Sequence, residues 1–323
     1  MSLTIWCNAK FADGVMRRLE EGTRGHRLLH SPHGIPSILA AGAPDPAMAG
    51  ADVVFGQPDV ADCLRYRKVR WVQLTTAGFA RYDTDAFREN FRERGAALTK
   101  ASAVFAEPAA EHVLAMMLAL DRQLLPTYRD QLTDRSWHME RRRFASHLLL
   151  GRTVVLLGFG TIGRRVAEML APFRCEVCAV RRQTRSELGV RIVPEADLTA
   201  VLGRADHVVN VLPDSEATRR WVNARRLACF RKGARFYNVG RGTTVDQDAL
   251  LESLQSGHLG AAYLDVTEPE PLPPEHPLWA APNCFITPHT AGGRDDQHQA
   301  LVEHFLSNLA AFDKGQALTD LAF

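Results

Sequence analysis

Three short stretches carry residues whose types and spacing suit chemistry. The first, Gly158-Phe159-Gly160-Thr161-Ile162-Gly163, spells G-x-G-x-x-G directly after the apolar run 153–157 and ahead of a helical stretch at 164–170. In that setting the first glycine permits a tight turn, the second lets backbone approach a pyrophosphate, and the third lets helix and strand pack closely. The helix N-terminus then offers free N–H groups and a positive dipole end. The second stretch is Asn238-Val239-Gly240-Arg241-Gly242. An arginine between glycines just after a strand is poorly placed for packing and well placed to hold a carboxylate in a bidentate fork. The third is Thr287-Pro288-His289-Thr290-Ala291-Gly292-Gly293, where a strand-end histidine is a candidate acid/base and the glycines allow close approach. A fourth segment, Asp265-Val266-Thr267-Glu268-Pro269-Glu270-Pro271, places three carboxylates beyond another strand. Strand C-termini are where open α/β sheets hold ligands.

The second strand of a dinucleotide fold commonly ends on an acidic residue that binds the ribose 2′-OH. Here the strand ending at Val180 is followed by Arg181 and Arg182, and the next acidic residue is Glu187. Cations at this position suit a 2′-phosphate, so Arg181 and Arg182 favour NADP(H). NAD(H), with both arginines in solvent, stays open. Glu176 lies at the wrong end of the strand to read the ribose.

These residues need a scaffold, and the chain supplies alternating apolar runs. Runs at 3–6, 53–55 and 72–75 separate polar or Pro/Gly-rich pieces in the first hundred residues. A second series reads as strands at 153–157, 176–180, 207–211, 235–239, 261–266 and 284–287, with helices between most of them. The helix at 246–256 has Asp246 as N-cap and Gly257 as stop. The pattern predicts an α/β protein with doubly wound parallel sheets. Between the two series, Pro108 is expected in a first helical turn. Residues 109–120 are apolar on almost every face, which predicts a helix buried all round, and we expect a dimer interface there. Arg141–Arg143 reads as a solvated charge run.

With 323 residues, two domains are the default. The composition, 46% hydrophobic and 24% charged, is that of an ordinary globular protein, and a net charge of +2 lends no support to nucleic-acid binding. Residues 1–14 lack a charged segment followed by a long apolar run, and the strongest apolar run, 113–120, is short for a bilayer. A cytoplasmic location without membrane partners is the expectation. The six cysteines are scattered. Cys175 and Cys178 make a C-x-x-C, but a strand sends them to opposite faces and no second ligand pair follows, so no metal is expected.

Taken together and in this order, the motifs resemble the D-isomer-specific 2-hydroxyacid dehydrogenase family. The resemblance runs from about Ala51 to the C-terminal helix. It implies a catalytic Arg241 from an N-x-x-R-G-x-x-V-D motif, a catalytic Glu270 five residues after a strand-end aspartate, and a catalytic His289 from a T-P-H motif. Glu268 is the variable carboxylate. It further implies that Asp265 meets the nicotinamide amide and that Thr76, Ala77 and Gly78 bind the substrate carboxylate alongside Arg241, in an anion-nest arrangement. Cofactor contacts are then expected from Gly158, Gly160, Thr161, Ile162, Gly163, Arg181, Arg182, Leu212, Pro213, Thr218, Val239, Gly240, Arg241, Asp265, His289 and Gly292. The implied architecture is a Rossmann cofactor domain, 105–289, inserted in a flavodoxin-like substrate domain, 1–104 with 290–323, around a closing cleft.

The chemistry fits those roles. Reducing a 2-oxo acid needs a hydride at carbon and a proton at oxygen. A carboxylate at Glu270 favours the imidazolium form of His289, which can then donate the proton, and neutral His289 can accept it in reverse. Arg241 would polarise the carbonyl. The expected substrate is glyoxylate, hydroxypyruvate or a similar small acid. Formate dehydrogenases of this superfamily have Gln where this chain has Glu270. Thr267 stands where an aromatic is common, and Asp214 and Ser215 where Leu-Thr is common. In related reductases a tryptophan near Trp137 reaches the partner's active site; core packing is the other fate open to it. The remaining histidines, among them His112 and His207, read as structural or surface groups. A scaffold that senses nicotinamide without turnover, like the corepressors of this fold, is the alternative function.

Overall fold

Short runs of apolar residues buried on both faces make parallel strands, and in this chain they gather into two sheets. A computed structural model describes residues 2–35, 40, 42–181, 187 and 189–323. It divides into two units, Met1–Phe105 with Arg294–Phe323, and Ala106–Gly293.

The first unit holds strands β1 (Thr4–Ala9), β2 (Arg27–Ile35), β3 (Val53–Gly56), β4 (Trp71–Leu74) and β5 (Ala97–Thr99), all parallel, in the order β2-β1-β3-β4-β5. That is the flavodoxin-like order. The helix Gln297–Asp313 returns to this unit and lays Phe305 on Phe55, rings 4.3 Å apart, and on Trp71 at 5.4 Å. β2 and β5 escape the pattern reading: Pro32 and Gly34 interrupt one, and the other has three residues.

The second unit holds β6 (Thr153–Leu157), β7 (Glu176–Val180), β8 (Arg191–Val193), β9 (His207–Asn210), β10 (Arg235–Asn238), β11 (Ala261–Leu264) and β12 (Cys284–Ile286). Their order is β12-β11-β10-β9-β6-β7-β8. Counted from β6 this is the Rossmann order with a seventh strand, and the order reverses between β6 and β9. All six strands expected here form, four of them ending one or two residues early, where the chain turns into the loops that carry the motifs.

Three expectations are corrected. Pro108 lies inside the helix Ser102–Asp121, not in its first turn. Residues 102–107 are helical already, and the missing N–H of Pro108 leaves the Val104 carbonyl without its usual donor. Second, that helix is not covered all round within one chain. Ala110, Val113, Met117 and Leu120 enter the core of the second unit, while Ala115 is exposed and Leu114, Met116 and Leu118 are half-buried. Its 20 residues are long and apolar enough to cross a membrane by length and composition, yet its inner face packs on the sheet. Third, Arg142 is not simply solvated. It turns inward and grips Asp130 with Nε and Nη2 at 2.8 and 2.7 Å, holding the segment 124–145 together.

Candidate active site

The loop after β6 is shaped as the dinucleotide reading requires. Gly158 has φ 97°, and a Cβ there would stand 3.2 Å from the Val211 carbonyl oxygen. Gly163 approaches the Gly158 carbonyl so closely that a Cβ would lie 3.0 Å from it. Gly160 faces open space and caps the helix Thr161–Leu170 with no side-chain hydrogen bond. The helix therefore starts three residues earlier than the pattern suggests. The amides of Thr161, Ile162 and Gly163 form its first turn, whose N–H groups have no intrahelical acceptor. Such a cradle fits a pyrophosphate. At the ribose edge, Arg181 follows β7 and meets Glu187 at 3.2 Å. Arg182 lies outside the described residues.

Arg241 follows β10, and its flanking glycines have a steric cause. A Cβ on Gly240 would lie 2.7 Å from the Leu212 carbonyl oxygen, and one on Gly242 would lie 1.9 Å from that of Thr267. Two neighbouring loops thus close on the backbone at Arg241. A buried polar network fixes it from below. Asn210 Nδ2 donates to Asn238 Oδ1 at 2.9 Å and to Thr244 Oγ1 at 2.7 Å. Asn238 Nδ2 and Thr244 Oγ1 donate to the Arg241 carbonyl at 3.1 and 2.7 Å. The guanidinium itself bonds the Gly240 carbonyl through Nη1. Asn210 and Thr244 were not singled out in the sequence; the available signal was an asparagine closing an otherwise apolar strand.

His289 has φ 54°, a left-handed conformation rare for a non-glycine residue that persists only where the surroundings hold it. Asp265 does so. Its carbonyl accepts the His289 N–H at 2.8 Å, and its Oδ1 accepts from Thr287 Oγ1 at 2.6 Å and the Thr290 N–H at 2.8 Å. Oδ2 takes the Ala291 N–H at 3.0 Å and has a lone pair to spare for an amide. Gly292 sits in the same turn, half-buried.

The imidazole Nδ1 lies 2.8 Å from Glu270 Oε2, and Glu270 Oε1 accepts the Thr267 N–H at 3.1 Å. Burial pushes the Glu270 carboxyl up, but the His289 hydrogen bond and charge, the Thr267 N–H and the Arg241 charge outweigh it and hold the group below its ordinary value. Glu268 turns elsewhere, to Arg219 at 3.2 Å. With Nδ1 committed to Glu270, Nε2 is the nitrogen left to exchange a proton with a ligand. Thr267 Oγ1 donates to the Pro269 carbonyl at 2.9 Å, bracing the Glu270 turn where an aromatic could not.

On the remaining side of the second unit's site, Leu212 donates its N–H to Asn210 Oδ1 at 3.3 Å. Thr218 Oγ1 donates to the Pro213 carbonyl at 2.6 Å, and Val239 is buried with its N–H on the Asn210 carbonyl. Thr76, Ala77 and Gly78 belong to the first unit, after β4. None of them has the positive φ of a nest, so that part of the expectation is corrected. Instead Thr76 Oγ1 donates to the Gly78 carbonyl at 2.7 Å and accepts from Gln57 Nε2 at 3.1 Å. Among the described residues the three amides meet no acceptor, which suits an anion.

Other candidates resolve structurally. Burial raises the Cys175 thiol to about 11 and lifts Cys178 as well, and no metal-ligating cluster exists among the described residues. His112 stacks on Tyr263 at 5.4 Å, and His207 is fully buried. Trp137 is 93% exposed and so takes no part in the core of its own chain.

A Rossmann sheet, a glycine cradle for a pyrophosphate and a carboxylate-backed histidine beside an arginine define a dinucleotide-dependent oxidoreductase. The sequence model described as "D-isomer specific 2-hydroxyacid dehydrogenase, NAD binding domain" matches residues 114–291, more than half of the chain. A glyoxylate reductase of Korarchaeum cryptofilum is 29% identical over 256 residues, covering 77% of this chain and 74% of that one. Two solved structures align over the whole chain and 98% of their own. One is a D-isomer specific 2-hydroxyacid dehydrogenase from Xanthobacter autotrophicus in complex with NADPH, with TM-score 0.82 and 25% identity. The other is an NADPH-dependent glyoxylate/hydroxypyruvate reductase from Sinorhizobium meliloti in complex with NADP, with TM-score 0.78 and 26% identity. The chain belongs to the D-isomer specific 2-hydroxyacid dehydrogenase family and is an NAD(P)-dependent oxidoreductase.

Proposed function

We propose that this enzyme reduces glyoxylate, hydroxypyruvate or a comparably small 2-oxo acid, with NADPH preferred over NADH. The observation that carries the acid/base role is the 2.8 Å contact between His289 Nδ1 and Glu270. The bound nicotinamide supplies the hydride. Protonated His289 gives its Nε2 proton to the carbonyl oxygen as the alcohol forms, and Glu270 stabilises the imidazolium beforehand. Arg241 holds the substrate carboxylate and draws charge toward the carbonyl oxygen. In the reverse direction neutral His289 takes the hydroxyl proton.

Support for NADPH comes from Arg181 at the end of β7 and from the relatives solved with that cofactor. We further read the protein as a cytoplasmic homodimer. All six cysteines are free thiols, as suits a reducing compartment. The half-covered 102–121 helix and the exposed apolar side chains after it suit a second copy.

The test is loss of nicotinamide absorbance with glyoxylate and with hydroxypyruvate, run in parallel with NADPH and NADH. Faster turnover with NADPH supports the substrate and cofactor assignments together. Faster turnover with NADH removes the cofactor preference and keeps the reductase. No turnover of either acid with either cofactor overturns the substrate assignment.

A further inference from the structure

Two arginines and one carboxylate meet at the ribose edge of the cofactor loop. Arg164 stands in the first turn of the helix Thr161–Leu170, and Arg181 immediately follows β7. Both guanidinium groups lie by the ring of Phe159, in the loop itself, at 6.0 and 5.8 Å from its centre. Glu187 reaches both: Oε2 accepts from Arg164 Nη2 at 3.1 Å and from Arg181 Nη1 at 3.2 Å. Its own backbone is pinned by a bridge to Val190. Glu187, with one negative charge, thus contacts two positive ones. The match is incomplete in geometry as well. Arg164 Nε is 2.6 Å from Glu187 Oε1 yet buried without an aligned hydrogen bond.

We propose that Glu187 is a built-in competitor for the 2′-phosphate of NADP(H), occupying Arg164 and Arg181 until the phosphate displaces it, and that it thereby sets the balance between the two nicotinamide cofactors. The inference rests on the NADPH reading above. A phosphate dianion carries twice the charge of the carboxylate and three acceptor oxygens, so it can satisfy both guanidinium groups and the buried Nε together. Displacing Glu187 costs the phosphate-bearing cofactor part of that gain and costs the other cofactor nothing. Discrimination is a difference of affinities, and an internal anion narrows it.

The test is calorimetric binding of adenosine 2′,5′-bisphosphate and of 5′-AMP to the full chain and to Glu187→Gln and Arg164→Gln. With Glu187→Gln the bisphosphate should bind roughly two- to fivefold tighter, the factor a half-exposed ion pair is worth, with 5′-AMP affinity the same. Arg164→Gln should weaken the bisphosphate alone. A wild-type preference for the bisphosphate that Glu187→Gln leaves unchanged or reduces overturns the inference and spares the NADPH reading. Weaker 5′-AMP binding by Glu187→Gln makes Glu187 a ribose ligand and also overturns it. Equal wild-type affinity for the two ligands overturns both readings.

Discussion

His289 Nδ1 and Glu270 Oε2 stand 2.8 Å apart, while the other Glu270 oxygen is occupied by the Thr267 N–H. The carboxylate is therefore aimed, and its charge is spent on the imidazole. Glu270→Gln keeps the shape and removes the charge. We expect reduction to slow on the order of 10²-fold at neutral pH, because a positioned general acid is worth about that much. The loss should fall on kcat, with the affinity for NADPH kept. A variant that turns over as fast as wild type would remove Glu270 from this role. The Glu270 carboxyl is held below its usual 4.5, so its contribution to stability is present above that pH and disappears as acid protonates it.

The backbone at His289 is as specific as its ring. With φ 54° the position tolerates asparagine far better than a β-branched residue. His289→Asn should therefore fold with wild-type thermal stability and bind NADPH, measured by fluorescence, while losing about 10²–10⁴-fold in kcat. His289→Val should lose stability too. Retained turnover in the asparagine variant would place the proton donor elsewhere.

Gly242 owes its identity to contact. Its missing Cβ would lie 1.9 Å from the Thr267 carbonyl oxygen, backbone against backbone, so Gly242→Ala must displace one loop. One loop carries Arg241 and the other leads to Glu270. A displacement near 1 Å costs on the order of 10²-fold in rate. We expect that loss in kcat/KM for a small 2-oxo acid, with the affinity for 5′-AMP preserved. A variant as active as wild type would show that the loops give way harmlessly.

Much of this site was legible because each motif couples a strand end to a residue that packing alone would not select. Gly158, Arg241, Glu270 and His289 all stand there, and six of the seven strands of the second unit were visible as apolar runs, the three-residue β8 being the exception. What escaped reading depends on tertiary neighbours. β2 carries Pro32 and Gly34, so no periodicity marks it, and only its pairing with β1 makes it a strand. Asn210 looks like an ordinary polar residue until Asn238 and Thr244 are brought to it from elsewhere in the chain. Arg142 looked solvated because Asp130, twelve residues earlier, gave no sign of facing it. The contact of Arg181 with Glu187 was hidden for the same reason.

Eight of the ten large apolar side chains exposed among the described residues fall between Leu124 and Leu150, with Trp137 93% and Phe144 86% exposed. Isolated exposed hydrophobics are ordinary, but a run of them beside a half-covered helix calls for a cover. Sedimentation equilibrium at micromolar concentration should give twice the chain mass. Trp137→Ser with Phe144→Ser should shift the protein toward single chains, and the long-wavelength tryptophan emission expected of a bare indole should appear only in a monomeric form that retains Trp137. A wild-type protein that sediments as one chain would end the dimer reading.

At the end of the second unit's sheet away from the site, Asp121 is fully buried between Arg235 Nη1 at 3.0 Å and His207 Nε2 at 3.5 Å, and His207 Nδ1 reaches the Tyr237 hydroxyl at 3.0 Å. The contacts tie the last residue of the 102–121 helix to β9 and β10. Burial pushes the Asp121 carboxyl up, but His207 beside it and the Arg235 and His147 charges prevail and keep it ionised below its usual 3.8. Removing one partner leaves buried charge uncompensated, which costs about 3–5 kcal/mol. Asp121→Asn should therefore lower the melting temperature by roughly 10 °C while leaving kcat at low temperature near wild type, because no substrate-binding group touches the network. The sign with pH follows from the lowered carboxyl: the difference between wild type and variant is complete above about pH 4 and narrows as the wild-type carboxylate is protonated in stronger acid. Equal melting temperatures at pH 7 would mean that Arg235 and His207 find other partners, and that the helix is held by its apolar face alone.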